Sequence, residues 1–136
     1  MSATIPVLIV DDQPAFRSAA RAVVALATDF EVAGEAESGE SAIDMAARLR
    51  DGVVLMDINL GDVSGIEATR RITASRDDLV VVLMSTYTAD DLPADAADCG
   101  AAAYVHKEDL APALLEDLWG RRPAPGTTGV GPPGRA

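Results

Sequence analysis

The sequence predicts a doubly wound α/β fold, with a five-stranded parallel sheet and five helices. Short runs of β-forming residues alternate with longer segments of helical periodicity from Ile5 to Trp119. Two of the short runs, Val53–Met56 and Leu79–Met84, are continuously apolar, which is typical of strands that helices bury on both faces. Because crossovers between parallel strands are right-handed, helices are expected on both faces of the sheet.

The predicted strands are short and rich in β-branched or small apolar residues. They are Ile5–Val10, Glu31–Ala36, Val53–Asp57, Leu79–Met84 and Ala102–Val105.

Four of the predicted helices carry an apolar stripe at helical spacing. The stripes are Phe16, Ala20, Val23, Val24 and Ala27; Ala42, Met45, Ala46 and Leu49; Ile66 and Ile72; and Leu110, Leu114, Leu115 and Leu118. Ser64 and Glu67 form an S-x-x-E capping box, which predicts the start of the third helix. Pro112 fits the first turn of the last helix.

The fourth predicted helix has the weakest signal. Pro93 disfavours a helix that begins before it, so the helix is expected to start nearer Asp91 and to run briefly through Ala94–Asp98. Gly100 follows, and the segment offers little apolar surface beyond alanines. We therefore expect this helix to be the least firmly packed of the five. Local stability tends to be lowest in segments that change conformation.

Composition restricts the function. The formal net charge is −11, so neither DNA binding by this chain nor binding to an anionic membrane is expected. The single Cys99 excludes an internal disulfide and suits a reducing compartment. No secretory signal or membrane-spanning stretch is evident, so a cytoplasmic location is expected. Residues 1–119 are predicted to form one domain, and the Pro/Gly-rich residues 120–136 a disordered tail or the start of a linker.

Polar residues follow four of the strands at the same end. They are Asp11 and Asp12, Asp57, Ser85, and Lys107. In an open parallel sheet these carboxyl ends meet, and ligands bind there. Three carboxylates at close range favour a bound cation, and hard oxygen ligands favour Mg²⁺. A carboxylate can also attack phosphorus and form an acyl phosphate, with Lys107 neutralising charge and Ser85 donating a hydrogen bond.

Each of these residues alone has a simpler interpretation. Asp12 could cap the helix entered at Pro14, and Asp57 could be a turn residue. Ser85 could open a loop, and Lys107 could be a solvated charge. Their joint occurrence at four strand ends favours the functional interpretation.

The chain resembles the receiver domain of two-component response regulators from Ile5 to Trp119. The resemblance rests on the strands Val7–Asp12 and Val53–Asp57, and on Gly65, Ser85, Tyr104 and Lys107. Two further stretches, Val32–Ala36 and Gly65–Arg70, resemble the subfamily usually joined to a LuxR-type helix-turn-helix. It implies the flavodoxin-like strand order 2-1-3-4-5.

The resemblance also implies a mechanism. A histidine kinase or a phosphotransfer domain donates a phosphoryl group to Asp57. Asp12 and Asp57 ligate Mg²⁺ directly, together with the backbone carbonyl of Asn59, whereas Asp11 acts through water. The protein is then not an enzyme beyond catalysing its own phosphorylation and dephosphorylation.

The resemblance also implies how phosphorylation changes the shape of the protein. Phosphorylation draws Ser85 inward, Tyr104 rotates into the vacated space, and the face built from the fourth helix, fifth strand and fifth helix changes shape. That face contacts an unidentified downstream protein or forms a homodimer.

Three positions depart from the family pattern. Gly61 stands where proline is usual, which should loosen the loop. Thr86 is larger than the usual alanine or glycine, and we expect it to narrow access to the site and slow exchange there. Glu108 follows Lys107 in place of proline, as the LuxR-type subfamily often tolerates.

The role of the whole protein is open at this point. The leading hypothesis is a stand-alone receiver that acts through protein contacts, and the alternative is the receiver half of a truncated LuxR-type transcription factor. A phosphohydrolase with Asp57 as nucleophile is disfavoured, because Asn59 stands where such enzymes place a proton-donating Asp. A flavodoxin-like electron carrier is also disfavoured, because no Ser/Thr-rich phosphate loop follows the first strand.

Overall fold

The structure is a computed structural model that describes residues 4–86 and 93–122. Its strands and α-helices, in chain order, are β1 (Ile5–Val10), α1 (Pro14–Leu26), β2 (Phe30–Ala36), α2 (Gly39–Ala47), β3 (Gly52–Asp57), α3 (Gly65–Thr73), β4 (Leu79–Ser85), β5 (Ala103–His106) and α4 (Pro112–Gly120). Two short 3-10 helices, Ala94–Asp98 and Lys107–Asp109, flank β5.

All five strands are parallel and lie in the order β2-β1-β3-β4-β5. This confirms the predicted sheet, and each predicted strand is found with its ends shifted by no more than one residue. The two continuously apolar runs, β3 and β4, are buried along their whole length. The register places Asp57 beside Met84 and Ser85 beside His106, so these residues lie at one edge of the sheet.

Helices cover both faces of the sheet, as the right-handed crossovers require. On one face, α2 and α3 bury Ala46 and Ile72 against side chains of the central strands. On the other face, α1 and α4 bury Val24 and Leu115. The core contains few aromatic residues and is built mainly from Val, Leu, Ile, Met and Ala.

The helix starts agree with the predicted signals except at α1. The Ser64 hydroxyl accepts a hydrogen bond from the Glu67 N–H at 3.1 Å and so caps α3, as predicted. Pro112 lies in the first turn of α4. The N-cap of α1 is Gln13, not Asp12, so the simpler interpretation of Asp12 as a helix cap does not hold.

The fourth predicted helix differs from expectation in its type. Among the described residues there are four α-helices, and the segment Ala94–Asp98 is a 3-10 helix that buries only Ala96. Pro93, which has no N–H to donate, stands at its N-cap, and Gly100 follows with φ of 100°. So short a segment, with alanine as its only apolar surface, gains little by packing as a longer helix. The predicted start at Asp91 lies outside the described residues.

The predicted boundary between the domain and its tail stays a prediction. α4 ends at Gly120, and residues 123–136 of the predicted tail lie outside the described part of the chain. No helix in that described part is long and apolar enough to span a membrane.

Candidate functional site

The carboxyl edge of the sheet brings three acidic side chains together. Asp11 and Asp12 follow β1, and Asp57 is the last residue of β3. One carboxylate oxygen from each of the three lies within 4.8 Å of the others. Asp11 and Asp57 are buried and Asp12 is exposed. The predicted acidic cluster is therefore present, with one carboxylate facing solvent.

Three polar groups of Asp11 are hydrogen-bonded to neighbouring residues. Its N–H donates to the carbonyl of Ala36 at 3.0 Å, and its Oδ1 accepts from the N–H of Gln13 at 2.9 Å. Its carbonyl accepts from the guanidinium of Arg17 at 2.7 Å. Arg17 is in turn paired with Glu35 of β2 at 3.2 Å. These contacts fix the Asp11–Asp12 peptide, from which both side chains project.

Lys107 supplies the positive charge of the site. Its Nζ lies 2.7 Å from Oδ2 of Asp11 and 3.5 Å from Oδ1 of Asp57. The same ammonium lies 4.7 Å from the centroid of the Phe16 ring, within the range of a cation–π contact. The lysine side chain is only 13% exposed, so it is not a solvated surface charge.

The environment of Asp57 disfavours the ionised form of its carboxyl group. Burial and the negative charge of Asp11 raise its pKa from 3.8 to about 6. The Lys107 ammonium and the N–H of Asn59, which lies 3.3 Å from Oδ1, act in the opposite direction. Their stabilisation does not offset the burial of a charge beside a second carboxylate.

The loop after β3 is closed at its base by Gly65. The Gly65 N–H donates to the carbonyl of Ile58 at 2.9 Å. A Cβ at Gly65 would lie 2.0 Å from the carbonyl oxygen of Asp57, so no larger residue fits without displacing the backbone. This contact gives a physical reason for the glycine noted in the sequence.

The remaining predicted residues lie around the site. Ser85 is buried at the end of β4, and the neighbouring Thr86 is exposed. The carbonyl of Thr86 lies 2.9 Å from Nε2 of His106. Tyr104 is half-buried in β5 and lines an apolar groove with Leu83 and alanines of the 3-10 helix Ala94–Asp98.

Sequence reasoning missed contacts of four residues around the site. Arg17 and Glu35 form an ion pair between α1 and β2, and Asp62 hydrogen-bonds to the first turn of α2. Each contact joins residues distant in sequence, so no local pattern marks it. Phe16 was assigned only to a core stripe, although its ring also contacts Lys107.

The donor set fits a hard divalent cation. Three carboxylates and one ammonium leave two formal negative charges in a largely buried space. Burial, and after it the negative charge of the neighbouring Asp11, raises the pKa of Asp57. A divalent ion with oxygen ligands and exchangeable waters, such as Mg²⁺, balances such a site.

Comparison with known proteins identifies the fold and the family. The family model described as response regulator receiver domain matches residues 7–118. The transcriptional regulatory protein DegU of Brevibacillus brevis is 34% identical over 112 residues, which are 82% of this chain and 48% of that protein. The response regulator UvrY of Escherichia coli K12 is 36% identical over 103 residues, which are 76% of this chain and 47% of that protein.

Solved structures agree. The signal receiver domain of NarL from Mycobacterium tuberculosis superposes with a TM-score of 0.76 at 26% identity, covering 88% of this chain and all of that domain. A LuxR-family two-component response regulator from Aurantimonas superposes with a TM-score of 0.75 at 26% identity, covering 91% of each chain. The chain spans about half the length of the curated relatives described above. It belongs to the response regulator receiver domain family of two-component signalling, close to the LuxR-family regulators.

Proposed function

We propose that the chain accepts a phosphoryl group on Asp57 from a phosphohistidine of a kinase or phosphotransfer domain, and then signals through protein contacts. The observation that carries this proposal is the convergence of Asp11, Asp12 and Asp57 with Lys107 at one edge of the sheet. Membership of the receiver family and similarity to response regulators support it.

The transfer is a displacement at phosphorus. A carboxylate oxygen of Asp57 attacks the phosphorus atom, and the bond from phosphorus to the donor histidine nitrogen breaks. The nitrogen leaves with the electron pair, and Asp57 becomes an acyl phosphate. The ionised form of Asp57 is the nucleophile, so its raised pKa limits the metal-free site at acidic pH.

Charge neutralisation is the main requirement of this reaction. Lys107 lies between Asp11 and Asp57 and can turn toward a phosphoryl oxygen on Asp57. Asp12, Asp57 and the carbonyl of Asn59 would hold Mg²⁺, with Asp11 acting through water. When bound, Mg²⁺ neutralises the phosphoryl oxygens and lowers the pKa of Asp57.

Readout would pass from Ser85 to Tyr104. Ser85 is buried at the end of β4, the strand beside β3, and would donate a hydrogen bond to the phosphoryl group on Asp57. Tyr104 lines an apolar groove with alanines of the 3-10 helix Ala94–Asp98, and its ring would rotate into the space that Ser85 vacates. The face changed in this way would bind a downstream protein or a second copy of the chain.

The role of the whole protein has two candidates. As a stand-alone receiver in the cytoplasm, the chain would act through residues 1–119, with residues 120–136 as a disordered tail. As the receiver half of a LuxR-type regulator, it would control a separate DNA-binding domain. The second candidate is favoured by the relatives, of which this chain spans about half. Sequencing the reading frame beyond Ala136 discriminates between them.

Phosphotransfer is tested with a small donor. Incubation with acetyl phosphate and Mg²⁺ should add the mass of one phosphoryl group to the protein, as measured by intact-mass spectrometry. The Asp57→Asn variant keeps the size of the side chain but offers no carboxylate nucleophile. An equal adduct on that variant would refute the assignment, whereas sustained release of phosphate from a small ester would favour a phosphohydrolase.

A further inference from the structure

The loop between β3 and α3 is attached to a helix that takes no direct part in the site. Oδ1 of Asp62 accepts a hydrogen bond from the N–H of Gly39 at 2.9 Å, and Oδ2 accepts one from the N–H of Glu40 at 3.0 Å. These two N–H groups begin α2 and have no partner within the helix. One carboxylate therefore joins the loop to the first turn of α2.

A second contact reinforces this attachment. Gly39 is buried, and a Cβ there would lie 2.4 Å from the carbonyl oxygen of Val63. The backbone of the loop thus lies directly against the start of α2, at a distance that only glycine allows. The two hydrogen bonds also keep the pKa of Asp62 below its usual value, so Asp62 is ionised at neutral pH.

The attachment at Asp62 is close in sequence to the base of the loop, where Ile58 and Gly65 are hydrogen-bonded. Gly65 closes the base through its hydrogen bond to Ile58, and Asp62 and Val63 fix the far end. Asn59 lies in the segment between them, next to Asp57. Gly61 lies in the same segment, and a Cβ there would meet nothing within 4 Å. The Asn59 N–H also donates to Oδ1 of Asp57 at 3.3 Å, and Leu60 packs against the core, so Asp62 adds a restraint at the α2 end of this part of the loop.

We propose that Asp62 is a positioning residue: by holding the loop on α2, it fixes the Asn59 backbone for cation binding and couples occupancy of the site to the first turn of α2. This inference rests on the proposed metal site but not on phosphotransfer. It also implies that the loop of this chain, which has Gly61 where its family usually has proline, is restrained by a contact from outside the loop. Coupling is reciprocal, so a bound cation should tighten the start of α2.

Two measurements test the proposal, with MgCl₂ as the probe. The Asp62→Ala variant should bind Mg²⁺ about tenfold more weakly in calorimetric titration, the size typical of losing a group that orients a metal ligand. NMR hydrogen exchange should show that the Gly39 and Glu40 amides of the wild-type protein gain protection when Mg²⁺ binds. In Asp62→Ala, both amides should exchange faster and respond little to Mg²⁺.

Two control variants separate positioning from simpler effects. Ser38→Ala removes the hydroxyl that accepts from the Ser41 N–H at 3.1 Å, which weakens α2 but leaves Asp62 in place. Asp44→Ala removes one negative charge from the exposed side of α2. Both should bind Mg²⁺ as the wild-type protein does.

The outcomes are distinct. Unchanged Mg²⁺ affinity in Asp62→Ala overturns the inference and leaves the proposed function intact. Equal weakening in Ser38→Ala also overturns it, because helix stability would then account for the effect. If Asp62→Ala weakens Mg²⁺ binding but the wild-type protein takes no phosphoryl group on Asp57, the inference stands and the proposed function fails. A wild-type protein that binds no Mg²⁺ overturns both.

Discussion

The ammonium of Lys107 lies 2.7 Å from Oδ2 of Asp11, closer than the 3.5 Å that separates it from Asp57. Asp11 is fully buried, and no other positive charge described in the structure approaches that oxygen. The lysine thus stabilises a carboxylate that is costly to bury, in addition to any role toward a phosphoryl group. The pair therefore contributes to stability as well as to the proposed chemistry.

This pairing predicts a stability defect in Lys107→Met. The variant removes the cation beside the buried Asp11 carboxyl group, which should lower the free energy of unfolding by about 3 kcal/mol. Adding Asp11→Asn to that variant should restore part of the loss, because no buried carboxyl group then lacks its cationic partner. Urea unfolding of the wild type, both single variants and the double variant measures the coupling. Strictly additive effects would contradict the pairing.

The raised pKa of Asp57 predicts an inverse pH dependence. Between the ordinary pKa of 3.8 and the folded-state value of about 6, the native protein holds a proton that the unfolded chain has lost. Its stabilising contribution is complete below pH 3.8 and is lost as pH rises through about 6, a change of about 3 kcal/mol.

The measurement is the difference in unfolding free energy between wild type and Asp57→Asn from pH 3.5 to 7.5. EDTA keeps the site free of divalent ions, and the contributions of carboxyl groups remote from Asp57 cancel in the difference. Relative to Asp57→Asn, the wild type should lose stability as pH rises. A difference that does not vary with pH would show that Asp57 has an ordinary pKa.

Much of the fold could be predicted from the sequence because its signals are local. Continuous apolar runs identified the buried strands β3 and β4. Because the strands are parallel, the polar residues at their C-terminal ends, Asp57 and Ser85, lie on the same side of the sheet. The 3-10 helix Ala94–Asp98 was less predictable, since alanine periodicity does not distinguish it from an α-helix. The contacts of Arg17 and Asp62 depend on tertiary packing, and no spacing in the chain encodes them.

Thr86 should slow the loss of a phosphoryl group from Asp57. It is exposed directly after Ser85, which ends β4, and we expect its side chain to narrow the approach of water to Asp57. Thr86→Ala should therefore dephosphorylate severalfold faster, as measured by loss of the phosphoryl adduct over time. Thr86→Val keeps the bulk without the hydroxyl and should match the wild type. Equal rates for Thr86→Ala and the wild type would discard the steric explanation.

Gly61, in the loop after β3, and Gly65, the first residue of α3, should respond in opposite ways to the same substitution. In Gly65→Ala, the new Cβ would lie 2.0 Å from the carbonyl oxygen of Asp57 and 2.8 Å from Cα of Ile58. Both are backbone atoms, so the end of β3 must shift, at an expected cost of about 2–3 kcal/mol in unfolding free energy. The shift should also weaken Mg²⁺ binding, because it moves Asp57 itself.

Gly61→Ala is the matched control for this change. A Cβ at Gly61 meets nothing within 4 Å, and its backbone does not adopt the left-handed conformation found at Gly100. The substitution should therefore raise the free energy of unfolding by about 0.5 kcal/mol, since it restricts only the unfolded chain. Urea unfolding and Mg²⁺ titration of the two variants measure both effects. Equal destabilisation by both substitutions would contradict this prediction. It would mean that an added methyl group is harmful at either position, whether or not the backbone of Asp57 lies close to it.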